Sequence, residues 1–526
     1  MTDSQPAWTE GYVAEIEYTS GFYAEQAPAH LALAAHLARV QAPAIDRPFA
    51  YFEMACGQGL TSNLLAAANP QGHFFANDFN PTHILNARRL AAEAGIGNVT
   101  FLEKSFAELA EVELPEFDFI TLHGIYSWVS AENRRAIVDF IRRKLKPGGV
   151  VYVSYNCLPG WAAMAPLRRL MWEHAARQSG PMPAKVAAAL EFAEKLDKAG
   201  ARYFAANQQI RPRLEKMRKQ SPNYLVHEYL NMDWELLYHA DVVRDMAAAK
   251  LSFAGSAHFA EQIDELVAQP QARPLLDGVS DPVLRETVKD FLINQQFRRD
   301  VFVRGAPRLS ARTQREVMAA TRFVLAVPRD ACTLAVRVPV GQVKLPEATF
   351  APILDALAAG PRTAQEIAAP KSADGTAQAW RRLAVLAAVG YARPAAPADA
   401  EARASTTRFN DAVLRRIIGG DELNMLASPV LGSGTRIDLV HRLFLAALHQ
   451  RHEDIVAFAW QWLSGRHQVL RKDGKPLQGA EENRQELARL ADDFAGKTLP
   501  LLRRLGVTAG GPGAVEARVV HGGQGT

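Results

Sequence analysis

The feature that most constrains the fold is a short apolar run, FAYFEM (49–54), that ends on a turn of small residues, Ala55-Cys56-Gly57-Gln58-Gly59. Such a turn lets the backbone bend sharply from a buried strand into a helix. Four similar runs follow: HFFAN (73–77), NVTFLE (98–103), FDFITL (117–122) and GVVYVSYN (149–156). Their aromatic and β-branched content predicts strands. Each is too continuously apolar to keep a wet face, which predicts a parallel sheet covered on both sides. Helices fit between them. Asn80-Pro81 caps one, with Ile84, Leu85 and Leu90 toward the core and Gly95 as its stop. Ser130 caps the next, with Ile137, Phe140, Ile141 and Leu145 inward, Lys144 and Lys146 at its negative end, and Pro147-Gly148-Gly149 ending it. This βαβα order predicts a doubly wound, Rossmann-like α/β domain over 1–160.

Beyond the fifth strand the pattern changes. Residues 161–220 are helical and charged, broken at Gly180-Pro181-Met182-Pro183, and read as a helical insertion or an arm joining two copies of the chain. Mixed α/β character returns over 221–330: YLVHEYL (224–230), a helix across 239–249 and LSFAGSA (251–257) are placed to complete the sheet, and 258–330 reads as mostly helical. Residues 331–395 form a separate unit with a strand in LAVRVPV, helices near 348–358, 363–369 and 377–389, and GYARP at its end; this order suggests a winged helix. An Ala/Pro-rich linker (394–404) opens a mostly helical region, 396–507, with helices at 436–449, 451–463 and 480–495. The Gly-rich end, 508–526, is expected to be disordered.

Composition removes several function classes. With 60 Lys and Arg against 56 Asp and Glu, the net charge is only +4, which argues against a nucleic-acid partner. Cys56, Cys157 and Cys332 lie far apart, with no metal spacing, so neither zinc nor disulfides are expected. The opening MTDSQPAWTEGYVAEIEY carries early acids, and no stretch approaches the roughly 20 apolar residues of a membrane span. A cytoplasmic protein with no membrane partner is expected.

The turn at 53–59 is where a ligand would sit. The helix after it offers free N–H groups and a positive dipole end, suited to a carboxylate such as that of methionine. Glu53 is placed to accept from a ligand ammonium, and Ala55, Gly57 and Gly59 let the backbone approach closely. Asp78, 19 residues past Gly59 with Phe79 beside it, can accept both ribose hydroxyls, or else it caps the helix starting near Pro81. Ser105 and Phe106 after strand three would border an adenine, Phe106 being equally suited to the core. A dinucleotide competes for the same turn, because Gly57-Gln58-Gly59-Leu60-Thr61-Ser62 begins like GxGxxG. Ser62 at the third small position and the acid at Glu53 lean toward S-adenosylmethionine.

Seven segments carry a resemblance: EMACGQG (53–59), ANDFNP (76–81), HGIYSWVS (123–130), LKPGGVVYVSYNCLPGW (145–161), YLVHEYLN (224–231), DFLINQQFRRDVFVRG (290–305) and NMLASPVLGSG (424–434). Together they resemble class I methyltransferases of the bacterial subfamily with a methyltransferase regulatory domain, which includes the rickettsial protein-lysine methyltransferases. The resemblance implies that Glu53, Gly57, Asp78 and Ser105 bind S-adenosylmethionine. It also implies that His123, Tyr126 and Trp128 line the cleft after strand four, and that the methyl acceptor is a protein lysine or another amine. Two departures stand out. Ala55 replaces the family's first turn glycine, at little cost if its φ is negative, and EYTSGFYAEQAPAHL (17–31) differs from the rickettsial pattern, which leaves the acceptor open.

On the acceptor side, a lysine of pKa ~10.4 must be made neutral, at roughly 4 kcal/mol near pH 7.4. Burial against Tyr126, Trp128 and Trp161 would lower that cost. His123 is the expected general base, because histidine titrates near working pH, or else it is structural. Asn156 accepts from an amine or simply ends strand five. His227-Glu228-Tyr229 adds an acid/base pair or, more in keeping with its surroundings, a buried salt-bridged element. The basic run Phe297–Arg304 could be a phosphate patch, although such a run is more often a solvated helix face or an interdomain clamp, and Arg381 and Arg382 alone do not make the winged helix a DNA reader. An Asn/Asp-Pro-Pro-aromatic loop is absent, which disfavours nucleobases. Methylation of a small molecule and a non-catalytic, cofactor-binding regulator are the alternatives.

Overall fold

The computed structural model describes residues 21–305, 308–369 and 371–508. The N-terminal stretch to 20 and the Gly-rich end from 509 lie outside the described residues.

Strands β1 (Phe49–Met54), β2 (Gly72–Asp78), β3 (Val99–Glu103), β4 (Phe117–Leu122) and β5 (Leu145–Asn156) run parallel. With β6 (Leu251–Ser256) and β7 (Phe297–Arg304) they make a seven-stranded sheet of order β3-β2-β1-β4-β5-β7-β6. Alternate residues of β1 serve two cores: Phe49 and Tyr51 join one face, Phe52 and Met54 the other. That two-sided burial is why the strand sequences are apolar throughout. The strand order reverses between β1 and β4, so a crevice opens at their carboxyl ends.

Helices α1 (Pro28–Leu37), α2 (Leu60–Ala68), α3 (Pro81–Ala94) and α4 (Ala131–Lys144) cover the sheet. The expected caps form: Asn80 Oδ1 accepts the Thr82 N–H at 2.9 Å, Ser130 Oγ accepts that of Asn133 at 3.2 Å, and Gly95 ends α3 with φ +61°. Ile84 and Leu90 are buried as expected, but Leu85 is 49% exposed, because it falls one residue off the inward stripe.

Residues 161–220 form α5 (Ala165–Ala175), α6 (Met182–Lys198), α7 (Arg202–Ala206) and α8 (Ile210–Met217), which share a small core of their own with Trp161. Two readings need correction here. Residues 224–229 belong to a helix capped by Leu230, α9 (Pro222–Tyr229), which closes that core rather than extending the sheet. The run Phe297–Arg304 is no helix face. It is β7, antiparallel between β5 and β6, and Arg298 is only 1% exposed. Its guanidinium is held by Asp290 at 2.6 Å, Asp300 at 3.0 Å and Glu286 at 3.1 Å, so a charge unusual for a central strand is fully paired. Helix α10 (His239–Ala247) joins in, since His239 Nδ1 lies 2.9 Å from Asp300 Oδ2.

Further on, Arg322–Leu325 is the middle strand of a three-stranded sheet flanked by Arg362–Thr363 and Ala392–Pro394, beside helices Glu347–Ala359 and Ala373–Ala388. The supposed linker gives way to a 20-residue helix, Ala400–Gly419, capped by the Asp399 side chain on the Ala402 N–H and ended by Gly420 at φ +115°. It lies against α2 and α3, where Arg416 pairs with Glu93 at 2.6 Å. Asn69, after α2, donates to the Gly432 carbonyl at 2.9 Å.

The two glycines of the β1 turn do different work. A Cβ on Gly59 (φ +69°) would meet Ala87 Cβ at 2.4 Å, whereas one on Gly57 (φ +53°) would meet nothing within 4 Å. Gly59→Ala is therefore expected to lower the unfolding free energy by about 2–4 kcal/mol, and Gly57→Ala by about 1 kcal/mol. Urea denaturation compares them, and equal losses would contradict this division.

Candidate active site

A cavity of about 1390 Å³, open mouth included, lies at the carboxyl ends of β1 to β4. Its floor is the β1 turn. Glu53, the last but one residue of β1, is buried, where Gln26 Nε2 donates to Oε1 at 3.2 Å and the Ser62 hydroxyl donates to Oε2. Burial pushes its carboxyl up to about 7, against the pull of the Ser62 and Gln26 hydrogen bonds. Gln26 Oε1 is buried with no partner. Sequence reading missed Gln26, which enters from a short turn before α1.

Ala55 takes φ +50°, not the negative value under which its replacement of glycine would be cheap. The turn is held from β2. Asn77 accepts the Cys56 N–H on its carbonyl at 2.8 Å, and its amide donates to the Lys104 carbonyl at 2.9 Å. Asp78 Oδ2 accepts the Gly57 N–H at 2.9 Å, while Oδ1 accepts the Asn80 N–H at 2.9 Å and meets His83 Nδ1 at 3.1 Å. Asp78 thus braces the turn, and the α3 cap falls to Asn80. Three of its roughly four acceptor positions are taken, so it has room for about one further donor, not two. His83, whose Nε2 is buried without a partner, stands beside it in the lining.

Phe79, Ser105 and Phe106 line the same cavity, and Phe106 also packs on the core under β4. Ser105 and Glu108 bond each other's backbone N–H at 3.3 and 2.8 Å, which shapes that loop.

Past β4 the expected residues separate. His123 and Trp128 line the cavity. His123 stacks on Tyr23 with centroids 3.5 Å apart, and its Nδ1 lies 2.8 Å from the Tyr152 hydroxyl. Burial lowers its pKa to about 3, so the imidazole stays neutral and lacks the near-neutral titration that suggested a base. Tyr126 faces away. It is fully buried and donates to Asp245 Oδ2 at 2.9 Å, because the tight turn that joins the Trp128 N–H to the Ile125 carbonyl (2.7 Å) sends Ile125 and Trp128 inward instead. Asn156 does not line the cavity; its N–H donates to Ser127 Oγ at 2.9 Å and its carbonyl accepts from Leu237, so it ends β5. Trp161 lies beneath Arg213, 3.7 Å from its ring, outside the lining.

The opposite wall comes from α9 and the loop after it: Tyr224, His227, Glu228, Asn231 and Asp233. Burial lifts Glu228 to about 7, with Arg213 and Arg168 pulling the other way. No salt bridge reaches it among the described residues, contrary to the expected structural pairing. Tyr, His, Glu and Asn at positions i, i+3, i+4 and i+7 were the overlooked signal, a polar helix face read as part of a mixed segment. Among the described residues no cluster of His, Cys, Asp or Glu is arranged to hold a metal ion, and no helix is long and apolar enough to cross a membrane.

A mainly parallel sheet with a cleft over a glycine turn defines a nucleotide-binding type of α/β domain, and a family model described as "Methyltransferase domain" matches residues 52–149. A second, "Predicted methyltransferase regulatory domain", matches 221–304. An uncharacterized protein of Synechocystis is 42% identical over 505 residues, covering 95% of this chain and all of the relative. The chain belongs with it in the family of class I S-adenosylmethionine-dependent methyltransferases that carry a regulatory domain. An uncharacterized protein of Rickettsia prowazekii is 27% identical over 54% of this chain and 51% of its own length. PKMT2 from Rickettsia typhi, solved with AdoHcy, shares the fold with a TM-score of 0.71 and 19% identity, over 94% of this chain and all of that one.

Because Tyr126 serves the core, Tyr126→Phe is expected to cost about 1–2 kcal/mol of stability and to change S-adenosylhomocysteine affinity by less than about twofold. Thermal unfolding and calorimetry check both; a large loss of affinity would return Tyr126 to the cleft.

Proposed function

We propose that this methyltransferase acts on an amine, and that the amine is a protein lysine side chain. One observation carries the reading: the cavity combines the carboxylates Glu228 and Asp233 and the ring of Tyr224, from α9 and the loop after it, with the ring of Trp128 from the loop after β4. Acid and aromatic surfaces together select a cation on a slender apolar stem. The fold shared with PKMT2 from Rickettsia typhi supports the same acceptor class.

The residues on the turn side fit the cofactor. Glu53 and the unpartnered Gln26 Oε1 suit its ammonium, and the first turn of α2, with Leu60 and Thr61 in the lining, suits its carboxylate. Asp78, with about one acceptor position left, and the unpartnered Nε2 of His83 would hold the ribose hydroxyls. The space left by the missing Gly57 side chain would be open to the ligand, and Phe79, Ser105 and Phe106, which line the cavity, would border the base. S-adenosylmethionine supplies a methyl group on a positively charged sulfur. His123, neutral and stacked, shapes the cleft rather than moving a proton. The unit 331–395 is read as a winged-helix-like docking module and 161–220 as a surface able to join two copies.

Transfer of labelled methyl into a native lysate tests the acceptor. Label on lysine side chains is expected; label confined to small molecules, or on oxygen or carbon, would overturn the reading. No turnover, with DNA retained in a gel shift, would favour a regulator. The cofactor side has its own test. Below pH 7 Glu53 binds a proton that a ligand ammonium must displace. S-adenosylhomocysteine affinity is therefore expected to fall toward about tenfold per pH unit between pH 7 and 5.5. Glu53→Gln should flatten that dependence, and an unchanged slope would remove Glu53 from the ammonium.

A further inference from the structure

The regulatory domain turns one face of α9 into the cleft. Tyr224, His227, Glu228 and Asn231 line the cavity, while Leu225, Val226, Tyr229 and Leu230 are buried on the helix's other side. The carboxylates of the cleft differ in what already engages them. Asp78 holds two backbone N–H groups and His83, and Glu53 holds Ser62 and Gln26. Among the described residues, Glu228 has no ion pair and no hydrogen-bonded side chain. Asp233 lies beyond α9, on a loop whose Met232 is 58% exposed.

We propose that Glu228 is the group that takes the proton from the acceptor's ammonium, so that the regulatory domain supplies the base and the methyltransferase domain holds the methyl donor. This rests on the amine reading above. An ammonium nitrogen has no lone pair to offer. One N–H bond breaks, its proton goes to a Glu228 oxygen, and the electron pair stays on nitrogen. Over the whole reaction an ammonium and a sulfonium methyl become a methylammonium, a neutral thioether and one proton, the one passed to Glu228 and then to water at the cleft mouth.

The surroundings suit that task. Burial holds the carboxyl at about 7, near working pH, where a base is both free to accept and strong enough to do so. The groups that act on it or on which it acts are Arg213 from α8, Arg168 from α5, and Tyr224 and Tyr229 of its own helix, and His227 and Asp233 line the same cavity. Arg213 and Arg168 keep the carboxyl from rising further, and burial pushes the Tyr224 hydroxyl up, so it stays neutral. His123, at about 3, is too weak a base to compete.

Glu228→Gln in the full chain tests this, with Glu228→Asp as its partner. Calorimetric affinity for S-adenosylhomocysteine should be unchanged. Binding of n-butylammonium to that complex should weaken by about tenfold or more. At saturating S-adenosylmethionine, labelling of poly-lysine or lysate lysines should slow by about 100-fold and lose its rise with pH around 7, with partial recovery in the Asp variant. A variant that labels lysine at the wild-type rate and pH profile overturns this proposal and leaves the amine reading standing. A wild-type enzyme that labels no amine overturns that reading and this one with it. Joint loss of S-adenosylhomocysteine binding assigns Glu228 to the folding of the cleft and also overturns it.

Discussion

The carboxylate of Asp78 ties the site together. It receives the Gly57 N–H from the turn after β1 and the Asn80 N–H before α3, and it meets His83 from α3 itself. These bonds, with the Cys56 N–H on the Asn77 carbonyl at 2.8 Å, set two loops that the parallel sheet brings side by side. The β1 turn carries left-handed conformations at Ala55, Gly57 and Gly59, and such a turn keeps one shape only where its N–H groups are engaged. Asn77 continues the bracing toward β3 through the Lys104 carbonyl. The floor of the cleft is thus built before any ligand arrives, which suits a site that must orient a flexible cofactor.

The regulatory domain is structurally part of the catalytic sheet. Its β7 inserts antiparallel between β5 and β6, and Arg298, at the centre of that insertion, is neutralised by Asp290, Asp300 and Glu286. Burial penalises each of these charges, yet the guanidinium and His239 still hold Asp300 below the usual carboxylate range. Removing one partner would leave a buried charge exposed to that penalty, so the network fixes how β7 sits. The same domain carries α9, and the position of β7 therefore bears on where Tyr224 and Glu228 meet the cleft.

Burial acts in opposite directions on the acids and the histidine of one cavity. It favours the uncharged form of each, raising Glu53 and Glu228 to about 7 and lowering His123 to about 3. The residue type that titrates near neutrality in water is thereby removed from the role, and carboxylates move into the range it vacates.

The sequence alone determined the five parallel strands, the caps at Asn80, Ser130 and Gly95 and the glycine turn, because these act through neighbours a few residues away, but not β7, whose charged sequence read as a helix face. It also carried Glu53, Asp78, Ser105 and Phe106, whose places follow from the strand ends, and all four line the cleft. Tertiary structure decided the rest. Tyr126 went to the core and Trp128 to the cavity because one tight turn divides them, and no pattern in HGIYSWVS distinguishes the two. Arg298 read as a surface charge because its three carboxylate partners include two on a separate helix. Helix α9 and Gln26 reach the site only once the sheet has formed between segments far apart in the chain, and burial, which sets the proton affinities there, exists only in the folded molecule.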